Sequence, residues 1–322
     1  MLRDEIITVF GGSGFVGRHV VRALAREGYR VRVASRRPHI AQDLRVMGVV
    51  GQVQLVQANV RVPASVERAL DGASGVVNLV GVLAESGRQT FTRLHAQGAK
   101  TIAEAAAAAG IERMVQISAI GADADSPSRY ARTKAEGEAL VREALPSATV
   151  LRPSIVFGPE DSFFNRFADM ARFAPALPLF GGGKTRFQPV FVGDVARAAV
   201  AALQSDDAQG ETYELGGPGV YTFAELMRYI LDEIDRPRIL LPLPWAIGSV
   251  IAMLSEAAAI LPFVQPVITR DQLTQLKRDN VVSDGAKTLA DLGLAAETLD
   301  AVVPSYLVRY RRYGQFHERQ AD

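Results

Sequence analysis

The 322-residue chain contains no cysteine, which removes disulfide frameworks and thiolate metal sites together and leaves the compartment undictated by redox chemistry. Histidine is scarce as well: His19, His39, His95 and His317 are scattered along the sequence, which argues against a metal centre. An excess of one charge is also missing. The 36 Lys and Arg are matched by 35 Asp and Glu, so no basic surplus points to nucleic acid and no run of like charge reads as a tail. No internal repeat is visible. The first apolar strand pattern starts at Ile6, which leaves no room for a signal or transit peptide and predicts a cytoplasmic protein. A chain of this length can bury one large α/β core with a smaller appendage.

What is present is concentrated near the start. The strand pattern Ile6-Ile7-Thr8-Val9-Phe10 runs directly into GGSGFVG. Gly11 allows a tight turn out of the strand, Gly14 lets backbone N–H groups approach a pyrophosphate, and Gly17 lets the next helix pack close to the sheet. With Ser13, Phe15 and Val16 they form a predicted phosphate loop at a helix N-terminus. Three glycines alone are weak evidence. A strand before, a helix over about Phe15–Glu27 and a second strand at Arg30–Ala34 supply the context that a dinucleotide site needs. Ser35, Arg36 and Arg37 fall at the end of that second strand, and no carboxylate occurs between Glu27 and Asp43. Sites for NAD place an acid there for the ribose 2′-hydroxyl, whereas arginine answers a 2′-phosphate. The expected cofactor is therefore NADP(H) rather than NAD(H), against the competing reading of a solvated basic turn.

The first part of the chain alternates strand and helix as a doubly wound parallel sheet requires. Strands are predicted at Ile6–Phe10, Arg30–Ala34, Val53–Gln57, Val76–Val80, Met114–Ile117 and Thr149–Leu151, with helices over about Phe15–Glu27, Thr90–Ala109 and Ser128–Leu145. After about Pro159 the rhythm loosens, which predicts a division into residues 1–159 and a smaller, interleaved substrate or partner region over 160–322. That region reads as a helix near Phe163–Phe173, a Pro/Gly-rich loop at Pro175–Gly183, a strand and helix around Val190–Leu203 with Asp194 as N-cap, a strand at Thr212–Leu215 and a helix at Phe223–Ile234. From Ile239 to Thr269 the only charge is Glu256. Pro242, Pro244 and Pro262 confine any helix there to Trp245–Leu261, short of the roughly 20 residues a membrane span needs. A core helix and a partner- or membrane-surface helix both remain open, and the Arg- and Tyr-rich tail Tyr306–Tyr313 offers either an interfacial anchor or a solvated helix.

The chemistry-bearing pair is in YARTK, where Tyr130 and Lys134 lie one helical turn apart on one face. In hydride-transfer sites such a tyrosine is the general acid or base, and the lysine lowers its pKa and holds the cofactor ribose. The strand that precedes this helix ends in Ser118.

GGSGFVG, Asn59 after the third strand, NLVG at Asn78–Gly81, the serine-ended fifth strand, YARTK and RPSIVFG at Arg152–Gly158 stand in the order of the short-chain dehydrogenases/reductases, and the chain resembles their extended or atypical branch. The resemblance covers nearly the whole chain and implies a Rossmann-type α/β fold. It also implies that Asn59 and Val60 border the adenine, that Val80 and Gly81 line the cofactor, and that Pro153 lies beside the nicotinamide. SRYARTKAEGE, RPSIVFGPEDSFFNRFADM, QPVFVGDV and ITRDQL resemble, more narrowly, the bacterial form of the complex I alpha-subcomplex subunit 9 family. That resemblance implies a largely structural NADPH, partners among respiratory complex I subunits or quinone-pathway proteins, and a place on the cytoplasmic face of a bacterial inner membrane. One departure weighs against turnover. Active relatives end the fifth strand with two hydroxyl residues, whereas this chain reads Gln116-Ile117-Ser118-Ala119, with Ala119 expected at the catalytic serine position and Ser118 the alternative. Losing such a donor costs roughly 10²–10³ in rate. The expectation is a cofactor-binding accessory, assembly or quinone-linked factor with weak or no independent turnover; the competing reading is an NADPH-dependent reductase or epimerase acting on a small isoprenoid- or sugar-like molecule.

Overall fold

The structure is a computed structural model that describes residues 2–258, 268–312 and Gly314. It divides into two compact units: Met1–Pro153 with Val192–Leu215 and Val282–Ala295, and Ser154–Phe191 with Gly216–Val281 and Ala296–Asp322. The chain thus leaves the first unit after Pro153, against a sequence division drawn at residue 159, and returns to it twice.

In the first unit, β1 (Ile6–Phe10), β2 (Arg30–Ser35), β3 (Val53–Gln57), β4 (Gly75–Asn78), β5 (Met114–Ile117) and β6 (Thr149–Pro153) alternate with α1 (Phe15–Arg26), α2 (Pro63–Leu70), α3 (Gln97–Ala108) and α4 (Arg129–Ala144). The chain then forms β7 (Val156–Phe157), α5 (Phe164–Phe173), β8 (Ala176–Phe180), β9 (Arg186–Phe187) and β10 (Val190–Phe191). It continues through α6 (Val192–Gln204), β11 (Thr212–Leu215), β12 (Tyr221–Thr222), α7 (Phe223–Glu233), β13 (Ile239–Leu243), α8 (Trp245–Ala258), α9 (Arg270–Gln275) and α10 (Leu299–Leu307).

Seven strands of the first unit form one sheet in the order β3-β2-β1-β4-β5-β6-β11, and every pairing in it is parallel. Runs such as Ile6–Phe10 suit this setting because β-branched and aromatic side chains fill a sheet covered on both faces. Val9, Val33, Val76, Val77 and Val150 are buried accordingly. The strand order reverses between β1 and β4, so this is the point where a crevice opens at the carboxyl ends of the strands. Local signals set the helix ends. Pro63 opens α2, Ser128 caps α4 by accepting from Ala131 N–H, and Gly110 follows the C-cap of α3 with φ +70°.

Several expectations are corrected. The fourth strand stops at Asn78 instead of Val80, because the Asn78 carboxamide accepts from Val80 N–H at 3.0 Å and turns the chain out of the sheet. The helix predicted from Thr90 to Ala109 is not uniform: a π-helical segment, Thr92–Ala96, precedes α3. Asp194 is not an N-cap, since α6 already begins at Val192; the buried carboxylate stands in the first turn and pairs with Arg197 at 2.6 Å. The loop predicted at Pro175–Gly183 contains β8, which pairs in parallel with β13.

In the second unit Phe157, Phe164, Leu177, Phe187, Phe223, Leu226 and Ile230 form the core. The chain's late segment begins in this core, where Tyr306 is buried and donates to Asp161 Oδ2 at 2.7 Å and Arg311 Nε donates to the Glu233 carbonyl at 2.9 Å, while Arg309 and Arg312 are exposed. Tyr313 and residues 259–267, including the end of the predicted helix at Leu261, lie outside the described residues. Helix α8 has two characters. Ala252 is buried against a cluster of Phe180, Ile268 and Leu273, while Ile247, Val250, Met253 and Leu254 are exposed, as are Ile239 and Leu241 of β13. No helix among the described residues is long and apolar enough to cross a membrane.

Candidate functional site

The glycine loop stands at the switch point of the sheet. Gly11 has φ +80°, a conformation that L side chains rarely adopt, and a Cβ on it would sit 3.0 Å from the Leu79 carbonyl carbon. The turn is closed by Gly14 N–H donating to the Gly11 carbonyl at 3.0 Å. A Cβ on Gly17 would lie 2.3 Å from that same oxygen and 2.6 Å from Gly12 Cα, so α1 starts against the turn only because position 17 is glycine. A Cβ on Gly14 would meet nothing nearer than the Gly11 oxygen at 3.3 Å, which leaves the helix N-terminus approachable.

At the edge of this loop β2 ends in Ser35, whose hydroxyl accepts from Arg37 N–H at 3.3 Å, and Arg36 and Arg37 are exposed. The nearest downstream carboxylate, Asp43, is occupied by an ion pair with Arg18 of α1. Ser35 and the end of β3 are adjacent, since Ala58 N–H donates to the Ser35 carbonyl at 3.0 Å. Asn59 is half-buried and its carboxamide oxygen accepts from Arg61 N–H and Nε, while Val60 is buried against Gly98. Past β4, Leu79 N–H donates to the Phe10 carbonyl at 2.9 Å, which brings Val80 and Gly81 beside the glycine loop. Pro153, the last residue of β6, accepts from Ile120 N–H at 3.0 Å.

Tyr130 and Lys134 occupy one face of α4, with Lys134 Nζ 5.9 Å from the Tyr130 ring centroid. The ammonium is buried and donates to the Ile117 carbonyl at 3.2 Å. Burial lowers its pKa to about 8, against the opposing pull of the Glu138 carboxylate. A Cβ on Gly81 would be 3.5 Å from Nζ, so the segment after β4 and α4 meet at this lysine. Ser118 follows β5, donates its backbone N–H to the Leu151 carbonyl at 2.7 Å, and is buried; its hydroxyl has no hydrogen-bond partner among the described residues. Ala119, next in line, is half-buried.

Sequence reasoning missed His95. Its ring is buried in the π-helical segment, stacks on Phe91 with centroids 5.3 Å apart and meets the Tyr130 ring edge-on at 5.2 Å. Burial, then the nearby Lys134 ammonium, lowers its pKa to about 3. Asn78 and Gln116 were missed too: their side chains bond across β4 and β5 at 2.8 Å, in the centre of the sheet. The polar residue in the middle of an apolar strand was the available signal for that pair.

These features fit a dinucleotide. The glycine turn has the close approaches that exclude side chains, the start of α1 is open for phosphates, and Ser118 offers a buried hydroxyl without a partner among the described residues. The class defined by this fold and site is confirmed by comparison: the chain belongs to the NAD dependent epimerase/dehydratase family, which matches residues 7–216. More particularly, it is similar to NADH dehydrogenase (ubiquinone) 1 alpha subcomplex subunit 9, mitochondrial, of Arabidopsis thaliana, at 38% identity over 96% of this chain and 79% of the plant protein. The protein of the same name from Mus musculus is 35% identical over 96% of this chain and 81% of its own. Among solved structures, the NADPH-dependent quinone oxidoreductase QOR2 of Escherichia coli, complexed with NADPH, has the same fold, with a TM-score of 0.72 at 20% identity over 94% of this chain and 99% of that one.

Proposed function

We propose that this chain is an NADP(H)-binding accessory or assembly factor of respiratory complex I, linked to the quinone-reducing machinery and built on an atypical short-chain dehydrogenase fold. The observation that carries the reading is the reach of the similarity to the plant subunit. It spans 317 residues and so extends well past residue 216, where the match to the general family ends. The exposed apolar side chains of β13 and α8 support a docked, peripheral state on the cytoplasmic face of a bacterial inner membrane.

In this reading the backbone N–H groups at the start of α1 hold the pyrophosphate, Arg36 and Arg37 take the 2′-phosphate, and Asn59 and Val60 border the adenine. Tyr130 and Lys134 hold the ribose hydroxyls, with Val80, Gly81, Ser118 and Pro153 around the nicotinamide end. Bound cofactor stabilises the folded state by mass action, which gives redox-inert NADPH a physical role. Deleting the gene should lower assembled complex I on a native gel, and Tyr130→Phe should restore it. Unchanged assembly in the deletion strain overturns the reading.

A second reading, an NADPH-dependent reductase, is favoured by the buried Lys134 beside Tyr130 and by the Ser118 hydroxyl, which has no partner among the described residues. A bound nicotinamide would supply hydride. The Tyr130 phenol would donate a proton to the substrate carbonyl oxygen, and Ser118 would donate a hydrogen bond to that oxygen in place of the residue missing at Ala119. NADPH oxidation with carbonyl or quinone substrates, abolished by Tyr130→Phe, distinguishes it from the first.

A further inference from the structure

His95 joins two parts of the candidate site that are far apart in sequence. Its Nε2 lies 3.1 Å from the backbone nitrogen of Val82. A backbone N–H can only donate, so Nε2 is the acceptor and the neutral ring carries its proton on Nδ1. Nδ1 is 3.2 Å from Thr133 Oγ1, and that hydroxyl donates in turn to the Tyr130 carbonyl at 3.0 Å. The direction of every bond is therefore determined: Val82 N–H to His95, His95 to Thr133, Thr133 to the first turn of α4.

The surroundings hold the ring in place. Phe91 stacks on one side, the Tyr130 ring stands edge-on, and a Cβ on Gly81 would be 3.5 Å from His95 Nε2. Helix α4 approaches the backbone of His95 so closely that a Cβ on Gly137 would lie 2.1 Å from the His95 carbonyl oxygen. A second tie runs parallel to the first: Glu85 accepts from Phe91 N–H at 2.8 Å and pairs with Arg129 at 3.0 Å. The segment from Leu79 to Phe91 is thus fastened to the start of α4 by both ties, and of the two His95 makes the one nearer the glycine loop.

We infer that His95 is a positioning residue for the nicotinamide half of the cofactor, clamping the Val80–Val82 backbone to the Tyr130–Lys134 helix through its neutral imidazole. The inference rests on the reading of this crevice as a cofactor site. It assigns no contact between His95 and the cofactor; the imidazole acts through Val82 and Thr133.

The test compares NADPH with 2′,5′-ADP, which carries the adenine half alone, in calorimetric titrations alongside thermal melts. His95→Phe keeps the stacked ring and removes both hydrogen bonds. It should weaken NADPH binding about tenfold, within the combined net contribution of the two lost hydrogen bonds, and leave 2′,5′-ADP affinity unchanged. His95→Gln, which retains an acceptor for Val82, should recover most of the loss. Thr133→Val cuts the chain at its other end, leaves a β-branched side chain of similar volume, and should lower NADPH affinity selectively even where His95→Phe fails to fold. Equal losses for both ligands, or no loss for either, overturn the inference and leave the cofactor reading intact. Failure of the unmodified protein to bind either ligand overturns the cofactor reading itself, and the inference falls with it.

Discussion

Lys134 Nζ donates to the Ile117 carbonyl at 3.2 Å, which ties the helix carrying Tyr130 to the end of β5, one residue before Ser118. This places a buried cation where it is costly to the folded chain and useful to a ribose. Its pKa, about 8, lies below the ordinary lysine value of 10.5. The unfolded chain therefore binds more protons between these values, so the stability present above pH 10.5 is lost as pH falls to about 8 and stays lost below it. The cost is on the order of 3 kcal/mol. Lys134→Met should raise the melting temperature of the cofactor-free protein at pH 7 and flatten this alkaline pH dependence, while NADPH affinity falls. Melting curves from pH 7 to 10.5, with and without NADPH, check both halves.

His95 has the same sign of shift over a different window. The unfolded imidazole protonates near pH 6.5 and the folded one at about 3. Stability falls across that interval, by up to about 1.4 kcal/mol per pH unit from this residue. The charged group facing the ring is Lys134, with Thr133, Tyr130 and the Val82 backbone completing its neutral surroundings. In denaturant titrations between pH 6.5 and 4, His95→Phe should reduce the slope of stability against pH by up to one proton's worth.

Gly17→Ala tests the loop geometry. With a Gly11 oxygen 2.3 Å from the new Cβ, the helix must move away from the turn. Destabilisation of roughly 1–3 kcal/mol is expected, together with loss of NADPH binding. Gly14→Ala, where the nearest atom is 3.3 Å away, should retain the fold and impair only the approach of phosphate. Thermal melts and calorimetry on the two variants separate these effects.

Arg36→Ala with Arg37→Ala should cost NADPH roughly 1.5–3 kcal/mol of binding and leave NADH affinity unchanged. Equal affinities for the two cofactors in the unmodified protein would remove the basis for the 2′-phosphate assignment.

On α8 the structure separates two neighbouring apolar residues. Leu254 is exposed, whereas Ile251 packs against the cluster of Phe180, Ala252, Ile268 and Leu273. Val250→Glu with Leu254→Glu should release the protein from membranes without changing its melting temperature, and Ile251→Glu should lower that temperature. Fractionation of gentle lysates, paired with melts, reads both outcomes.

Much of the parallel sheet was legible before the structure. The ends of β1, β3, β5 and β11 coincide with the sequence expectations because each is a short stretch rich in β-branched, aromatic or other apolar residues between segments of different character. The glycine loop was legible for the same reason: its residues are contiguous. The pairs β7/β10 and β9/β12 were not, since two-residue strands are defined by distant partners and leave no periodicity of their own, and β8 and β13, five residues each, carry Pro178 and Pro242, which read as loop signals. His95 was hidden for a related reason. Its partners lie 13 and 38 positions away, one of them is a backbone N–H, and a lone histidine in an alanine-rich helix pattern carries no signal for either.

The central claim is association with complex I, and its most direct measurement is affinity capture of the tagged, full-length chain from native membranes in mild detergent, with co-purifying proteins quantified by mass spectrometry. The account predicts enrichment of complex I subunits over an untagged control, reduced by Val250→Glu with Leu254→Glu. Recovery of the chain without complex I subunits, from cells that contain the assembled complex, would contradict it.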